Sequence, residues 1–187
     1  MKAVLKPAIV LLSLFVLLTG VLYPLAVWAV AQGIFPAQAN GSLVMRDGQA
    51  VGSSLIGQVF DDPRYFWGRP SAVGYAADAS GGSNLGPSNP ALQEAVAQRI
   101  AALQAADPGN SAPVPADLVT TSGSGLDPHI SPASAYYQAG RVARARGLPE
   151  AQVVALVERL TLPRQLGFLG EPTVNVLELN LALDGLQ

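Results

Sequence analysis

A chain of 187 residues without cysteine, half of it hydrophobic and 13% charged, cannot form disulfides, thiolate metal sites or a cysteine nucleophile. Beyond two lysines near the N-terminus, nine arginines face thirteen acidic residues, and this net charge of −4 argues against nucleic-acid binding. The length predicts one domain with an appendage rather than two domains.

The first feature along the chain is a long apolar run. Residues 7–31 carry no charge and exceed the ~20 residues that cross a hydrocarbon core of about 30 Å. Between Ile9 and Val30, fourteen residues are Leu, Ile, Val or Phe, each favouring insertion by roughly 0.3–0.6 kcal/mol. A cleaved signal peptide is the alternative, because Ala29-Val30-Ala31 fits an A-x-A cleavage site. The run is longer than the 7–15 residues of a usual signal core, which favours a transmembrane helix over residues 7–31.

The charges that flank this run predict its orientation. The two lysines, Lys2 and Lys6, precede it, and the next charged residue is Arg46. By the positive-inside rule, residues 1–6 are cytoplasmic and residues 32–187 form a domain outside the membrane.

Beyond the anchor, short apolar runs alternate with turn residues. Turns are expected at Asn40-Gly41 and at Asp47-Gly48, with two short strands around the second turn and a further strand over Leu55–Phe60. The next stretch, DDPRYFWGRPSAVGY, concentrates aromatic residues between prolines and glycines, which is typical of core or interface packing rather than of a cofactor site.

Capping residues and apolar periodicity predict three helices. The first has Asn89 as its N-cap and stops at Asp107-Pro108-Gly109. The second begins at Ser131-Pro132 and runs to Gly147, and the third covers PEAQVVALVERL, residues 149–160.

Two further segments complete the predicted domain. ADLVTTS, residues 116–122, fits a short strand. In the tail, TVNVLELNLALDGL, the leucines alternate as in a strand, but Asn175 and Glu178 have the spacing of a capping box, which favours a helix. The mixture predicts an α+β (mixed α/β) domain anchored by one N-terminal transmembrane helix.

The stretch SGGSNLGPSNP, Ser80–Pro90, is the strongest candidate for ligand binding. Its glycines could form an anion-binding nest of backbone N–H groups. A P-loop needs G-x-x-x-x-G-K-[ST], however, and no lysine follows Lys6; G-x-G-x-x-G is absent as well. The residues alone therefore favour a rigid turn that leads into the helix at Pro90.

A membrane-tethered serine hydrolase is the alternative function that the residues suggest. Ser122 and Ser124 lie near Asp117, Asp127 and His129, the only histidine in the sequence. However, TSGSGLD lacks the G-x-S-x-G elbow, and closeness in sequence does not establish a base bonded to both partners. The remaining carboxylates have no recognised metal-binding spacing, so no metal site is predicted.

Seven blocks, in order along the chain, resemble the motifs of a known family. They are YPL…FPAQANGSL, LIGQVF, YFWGRPSA, SGGSNLGPSNPAL, SGSGLDPHISPASA, RVARARGL and LGFLGEPTVNVLELNLALD. Together they cover nearly the whole chain, including the apolar N-terminal run. On these blocks the chain resembles the KdpC family, which belongs to the Kdp potassium-transporting ATPase.

The resemblance implies a small accessory subunit of a bacterial inner-membrane complex, with a periplasmic domain on one membrane helix. Its partners would be a channel-like subunit that selects K⁺, a P-type ATPase subunit that hydrolyses ATP, and the lipid bilayer. No nucleic acid and no cofactor of its own are implied, because the complex handles ATP and K⁺. Members of the family are held to support assembly and to act as a catalytic chaperone that raises the ATP affinity of the ATPase subunit.

The resemblance also implies a nucleotide role for one loop. SGGSN resembles the signature loop of ABC transporters, and the nucleotide-binding residues would then be Ser80, Gly81, Gly82, Ser83 and Asn84. The sequence departs from that signature, because Ala79 stands where Leu is expected and Asn84 where Gln is expected. The lysines predict that this loop is outside the membrane, whereas ATP is inside. We therefore expect an effect on ATP that is relayed through the other proteins of the complex.

Overall fold

The computed structural model describes residues 2–186. Met1 and Gln187, the end residues of the predicted cytoplasmic and periplasmic segments, lie outside the described residues. The chain divides into two compact units, with the boundary between Val44 and Met45.

The first unit is helical. Its elements are α1 (Lys2–Leu17), a π-helical turn (Leu18–Leu22), α2 (Tyr23–Ile34) and α3 (Pro36–Ala39). The stretch Val4–Ile34 spans 31 residues with a mean hydropathy of 2.4, and none of it is buried. Within residues 2–186 it is the one helix long and apolar enough to cross a membrane, as the apolar run predicts.

The π-helical turn has a local cause. Pro24 has no N–H to donate to the carbonyl of Gly20, and its ring crowds that carbonyl, so the helix widens in the turn before it. The hydroxyl of Thr19 donates to the carbonyl of Phe15 at 2.7 Å, which satisfies one backbone acceptor within the helix.

The second unit is a mixed α and β domain, which confirms the predicted fold class. Its elements in chain order are β1 (Leu43–Arg46), which begins just before the boundary, β2 (Gln49–Ser53), α4 (Pro90–Ala106), a 3₁₀ turn (Ala116–Leu118), β3 (His129–Ile130), α5 (Pro132–Arg146), α6 (Glu150–Leu160), β4 (Thr161–Leu162), β5 (Thr173–Asn175) and α7 (Val176–Asp184).

A small antiparallel sheet organises the core, in the order β3-β5-β4. Val174 of the central strand lies opposite Ile130 on one side and Thr161 on the other. Helix α6 packs between α5 and α7, because its apolar residues recur every three to four positions and form one face. Fully buried members of this core include Leu118, Val142, Val153, Val157, Val174, Leu179 and Leu183.

The aromatic stretch packs into this core through Phe66 and Trp67, as its composition predicts, and two buried amides fix it there. The side chain of Asn180 accepts from the Phe66 N–H (2.9 Å) and donates to the Phe66 carbonyl (3.0 Å). Gln138 does the same for Trp67, at 2.8 and 3.1 Å. Each amide thus substitutes for a neighbouring strand and satisfies both backbone groups of one aromatic residue.

Two arginines flank the ring of Trp67. The guanidinium carbons of Arg141 and Arg99 lie 4.6 and 5.4 Å from its centroid. Arg141 is 4% exposed, and burial lowers its pKa to about 10. It donates to the carbonyls of Pro63 and Tyr65 and to the Gln138 side chain, so its donors have acceptors although none of these is a carboxylate.

The capping predictions are confirmed. Asn89 accepts from Ala91 N (3.0 Å) and Ser131 from Ser134 N (3.1 Å), at the starts of α4 and α5. In the tail both alternatives are partly right, because strand β5 ends at Asn175, which then caps α7 by accepting from Glu178 N at 3.1 Å.

Two predicted strands are wrong. Residues 57–60 have no regular structure, because Gly57 N donates to Leu126 O (2.8 Å) and the Gln58 amide to Val51 O (2.8 Å), which are contacts with separate segments rather than one ladder. The segment 116–122 begins as a 3₁₀ turn instead, and the Asp117 carboxylate in it accepts from the N–H and hydroxyl of Ser131.

Candidate functional site

The segment Ser80–Asn84, here called the SGGSN loop, lies against a second glycine-rich loop, residues 121–125. Gly81 N and the Ser80 hydroxyl both donate to the carbonyl of Ser124, at 2.8 and 3.0 Å. The Thr121 hydroxyl donates to the Ser83 hydroxyl at 3.1 Å. The structure therefore brings together two stretches that are about forty residues apart.

Glycines permit this close approach. A Cβ on Gly82 would lie 3.1 Å from the carbonyl oxygen of Gly123, and one on Gly125 would lie 2.5 Å from the carbonyl oxygen of Gly81. Gly125 also has a φ of +68°, a conformation that residues with a side chain rarely adopt. The glycines here therefore allow the backbones of two loops of the same domain to pack closely against each other.

A cleft of about 300 Å³ opens beside the loop and α4. Ser83 and Thr121 contribute hydroxyls to its wall, and Arg99 contributes the one charged side chain. Arg99 donates to the carbonyls of Leu118 (3.1 Å) and Gly68 (3.0 Å), and burial lowers its pKa. The rest of the lining consists of Gln98 and six apolar residues, Pro70, Leu85, Leu92, Ala95, Ala102 and Val119.

The residues of the hydrolase alternative form a different arrangement. His129 Nδ1 lies 3.4 Å from Asp127 Oδ1, and the other oxygen of Asp127 contacts Arg69 at 3.2 Å. Burial alone raises the pKa of Asp127, but hydrogen bonds from His129 and the charge of Arg69 outweigh it and hold the pKa below its usual value. Ser122 is buried, and the Ser124 hydroxyl accepts from Leu126 N at 3.1 Å.

Among the described residues, no hydrogen bond links either serine to His129, so the geometry does not support a serine hydrolase. Within residues 2–186 there is also no group of three or more His, Asp or Glu side chains that could hold a metal ion.

Sequence reasoning missed the charged and amide side chains that fix the aromatic stretch, and it missed an exposed apolar hairpin between β4 and β5. The hairpin carries Leu166 and Phe168, which are 84% and 69% exposed. The motif LGFLG, residues 166–170, could have indicated this hairpin. Its two glycines predict a tight turn, and the residues between and before them are large and apolar.

Comparisons with known proteins give one consistent result. A family model described as the K⁺-transporting ATPase, c chain, matches residues 5–185. The potassium-transporting ATPase KdpC subunit of Sorangium cellulosum is 66% identical over 188 residues, which cover 99% of each chain. The corresponding protein of Polaromonas naphthalenivorans is 66% identical over 190 residues, 100% of this chain and 97% of that one. That of Methylococcus capsulatus is 63% identical over 185 residues, 97% of each.

Proposed function

The chain belongs to the K⁺-transporting ATPase c chain family, and from that premise we propose that it is a non-catalytic accessory subunit of an ATP-driven K⁺ uptake complex. In this proposal it supports assembly and raises the ATP affinity of the P-type ATPase subunit without an active site or cofactor of its own. Its partners are that subunit, the K⁺-channel-like subunit and the lipid bilayer.

The proposed topology follows from charge. Lys2 and Lys6 hold the N-terminus in the cytoplasm of a bacterial cell, the apolar helix crosses the inner membrane, and the domain lies in the periplasm. The next charged residue after Lys6 is Arg46, so nothing between them opposes insertion in this direction.

The observation that carries the indirect effect on ATP in this proposal is the pairing of the SGGSN loop with residues 121–125. A phosphate-binding loop offers free backbone N–H groups to its ligand. Here the N–H of Gly81, the first residue of the glycine pair, is engaged by the carbonyl of Ser124, which also accepts from the Ser80 hydroxyl. Together with the absence of any lysine after Lys6, this supports a structural loop and an indirect effect on ATP.

An indirect effect requires only that the chain bind one conformation of its partners better than another. Differential binding shifts a two-state equilibrium and can change affinity at a distant site by about 5- to 150-fold. The membrane helix and the periplasmic domain are the parts of this chain that would contact the two conformations differently.

The test is equilibrium binding of a non-hydrolysable ATP analogue to the purified complex, prepared with and without this chain. We expect its omission to weaken analogue binding by about 5- to 150-fold, the usual range for coupled sites, and to lower the yield of assembled complex. Unchanged affinity and unchanged assembly would refute the accessory role.

Direct nucleotide contact through Ser80, Gly81, Gly82, Ser83 and Asn84 is a second candidate. One observation favours it, because the Ser83 hydroxyl and the Arg99 guanidinium line the same cleft. Ser83→Ala separates the candidates, since it removes one hydroxyl and leaves the backbone pairing in place. Direct contact predicts a loss of analogue affinity of about tenfold or more with normal assembly, whereas the relayed effect predicts a change of less than about twofold.

A further inference from the structure

The hairpin that connects β4 to β5, residues 162–171, exposes an apolar surface that the domain does not use. Leu166 is 84% exposed and Phe168 69%, and Leu162 and Leu169 are about half exposed. Large apolar side chains scattered singly on a surface are ordinary, but a cluster on one protruding turn is typical of an interaction site.

The hairpin backbone is ordered by its own bonds. Gln165 N donates to Leu169 O and Leu169 N donates to Gln165 O, both at 2.9 Å. Below this bridge an ion pair joins Arg164 to Glu171 at 2.5 Å. The apolar side chains are therefore presented by a fixed turn, which lowers the entropy lost when they bind a partner.

The residue at the tip is conformationally unfavourable. Leu166 has a φ of +53° and is followed by Gly167 at +83°. A leucine in this left-handed region costs roughly 1–2 kcal/mol, and Gly or Asn would be accepted more easily. Because the Leu166 side chain is almost fully exposed, packing inside the domain does not offset this strain.

We propose that the hairpin is a docking element whose Leu166 and Phe168 side chains enter an apolar pocket on another protein subunit of the same K⁺-transporting complex. The inference rests on the proposed function, because it needs partner subunits around this chain. Beyond that function, the inference names the segment of the domain that would bind a partner subunit and the apolar contacts that would hold it there.

Charge favours a protein partner over lipid. The hairpin's two charges neutralise each other in one ion pair, so it has no excess of basic residues to attract anionic headgroups. The chain beyond the anchor carries nine arginines and thirteen acidic residues. Anionic headgroups would repel this net negative charge.

Area favours another subunit over a second copy of this chain. Four partly exposed side chains bury far less than the ~800 Å² per partner of a stable interface. Such a small contact is effective when a second attachment raises the local concentration of the two surfaces. A membrane helix held in the same complex would supply that attachment.

The absence of cysteine provides a direct test, since a Gln165→Cys variant carries a single thiol at an exposed position beside Leu166 and leaves both Leu166 and Phe168 in place. The variant is produced in membranes with and without the other subunits and treated with a membrane-impermeant maleimide, and labelling of this chain is followed by gel shift. We expect labelling to be slower by about tenfold or more in the complete complex than in the chain alone. Leu55→Cys, which is also exposed, should label at similar rates in both.

Three outcomes would overturn the docking proposal. Equal, fast labelling in both samples shows that nothing covers the hairpin, and slow labelling in both shows cover by lipid or by a second copy. Equal protection of both variants shows that the complex shields the whole domain rather than the hairpin.

Copurification of the subunits is measured on the same samples. If this chain does not copurify, the proposed function fails; if it copurifies but the hairpin labels freely, only the docking proposal fails.

A substitution gives an independent readout. Leu166→Asn relieves the unfavourable backbone conformation, so the thermal stability of the full chain in detergent should be unchanged or higher. Its dissociation from the complex should nevertheless be about 10- to 100-fold faster, as for loss of a central interface residue. Leu55→Asn should leave the dissociation rate within about twofold. Normal dissociation of Leu166→Asn, or an equal effect of both variants, would contradict the proposal.

Discussion

Asp184, at the end of α7, joins distant parts of the domain through its carboxylate. It accepts hydrogen bonds from Arg46 in β1 at 2.9 Å and from Arg146 at the end of α5 at 2.8 Å. Arg146 in turn stacks on the ring of Tyr65 at 4.6 Å. Burial by itself raises the pKa of Asp184, but the hydrogen bonds from the two arginines outweigh it and hold the pKa below its usual value.

Asp184→Asn should reduce the pH dependence of stability. A carboxylate whose pKa is depressed in the folded state stabilises it above the unfolded pKa of ~3.9 and loses that contribution as pH falls through the folded pKa. At pH 7 the variant should be less stable by about 1–3 kcal/mol, and the difference should shrink below about pH 4. Thermal unfolding of the full chain in detergent between about pH 7 and pH 3 measures this. A difference that stays constant over that range would contradict the assignment.

Residues that act locally were predictable, and those that act across the chain were not. The caps Asn89 and Ser131 bond to backbone groups two or three residues away, so the sequence pattern contains both partners. Gln138 and Asn180 bond to backbone groups 71 and 114 residues away, and a polar residue within a helix does not by itself reveal such a partner. The SGGSN loop was predicted as part of a rigid turn, but residues 81–86 have no regular structure and the turn lies at residues 87–88. The pairing of the loop with residues 121–125 could not be predicted, because its partners are about forty residues away.

At the scale of elements, the two paired loops depend on where their glycines lie. Gly123 and Gly125 are two residues apart in the same loop. A Cβ on Gly125 would meet the Gly81 carbonyl oxygen at 2.5 Å and a Val73 methyl at 2.6 Å, whereas one on Gly123 would meet nothing within 4 Å. Gly125 should therefore be sensitive to substitution by alanine, and Gly123 in the same loop provides a matched control.

Gly125→Ala should separate the two loops and destabilise the domain by about 2–4 kcal/mol, because it adds a steric overlap to a backbone conformation with positive φ. Gly123→Ala should change stability by less than about 0.5 kcal/mol. Denaturant unfolding of the full chain, with proteolytic sensitivity of residues 80–84 as a second readout, checks both variants. Similar stabilities would show that the pairing contributes little to the domain.

Helices were easier to predict than strands in this domain for a physical reason. Helix α6 shows its buried face within eleven residues, because Val153, Leu156 and Val157 recur at helical spacing. The strands of the core sheet are only two or three residues long and pair with strands distant in sequence. They are too short to show the alternation of apolar and polar residues that marks a strand. Leu55–Phe60 has a strand-like composition, but within residues 2–186 no neighbouring strand forms a ladder with it.

At the scale of the whole molecule, the chain combines an apolar helix with a domain whose glycine-rich loops are bonded to each other. The loop that resembles a nucleotide signature is thus held by its own domain, and the apolar surface that lacks an internal role lies on a hairpin elsewhere. This arrangement supports the proposed role of the chain in binding partner subunits. If the chain raises the ATP affinity of the ATPase subunit as proposed, then ATP bound to that subunit should strengthen the attachment of this chain by the same factor, because coupling free energies are reciprocal.

The side of the membrane on which the domain lies decides between a relayed and a direct effect on ATP, and cysteine labelling tests it. A single cysteine is introduced as Ser88→Cys, at an exposed position beside the SGGSN loop, with Ser111→Cys as a second exposed site. Spheroplasts are treated with a membrane-impermeant maleimide before and after lysis. We predict that both variants are labelled before lysis, which would place the loop on the opposite side of the membrane from cytosolic ATP. Labelling of both only after lysis would contradict this topology and make direct nucleotide contact the leading hypothesis.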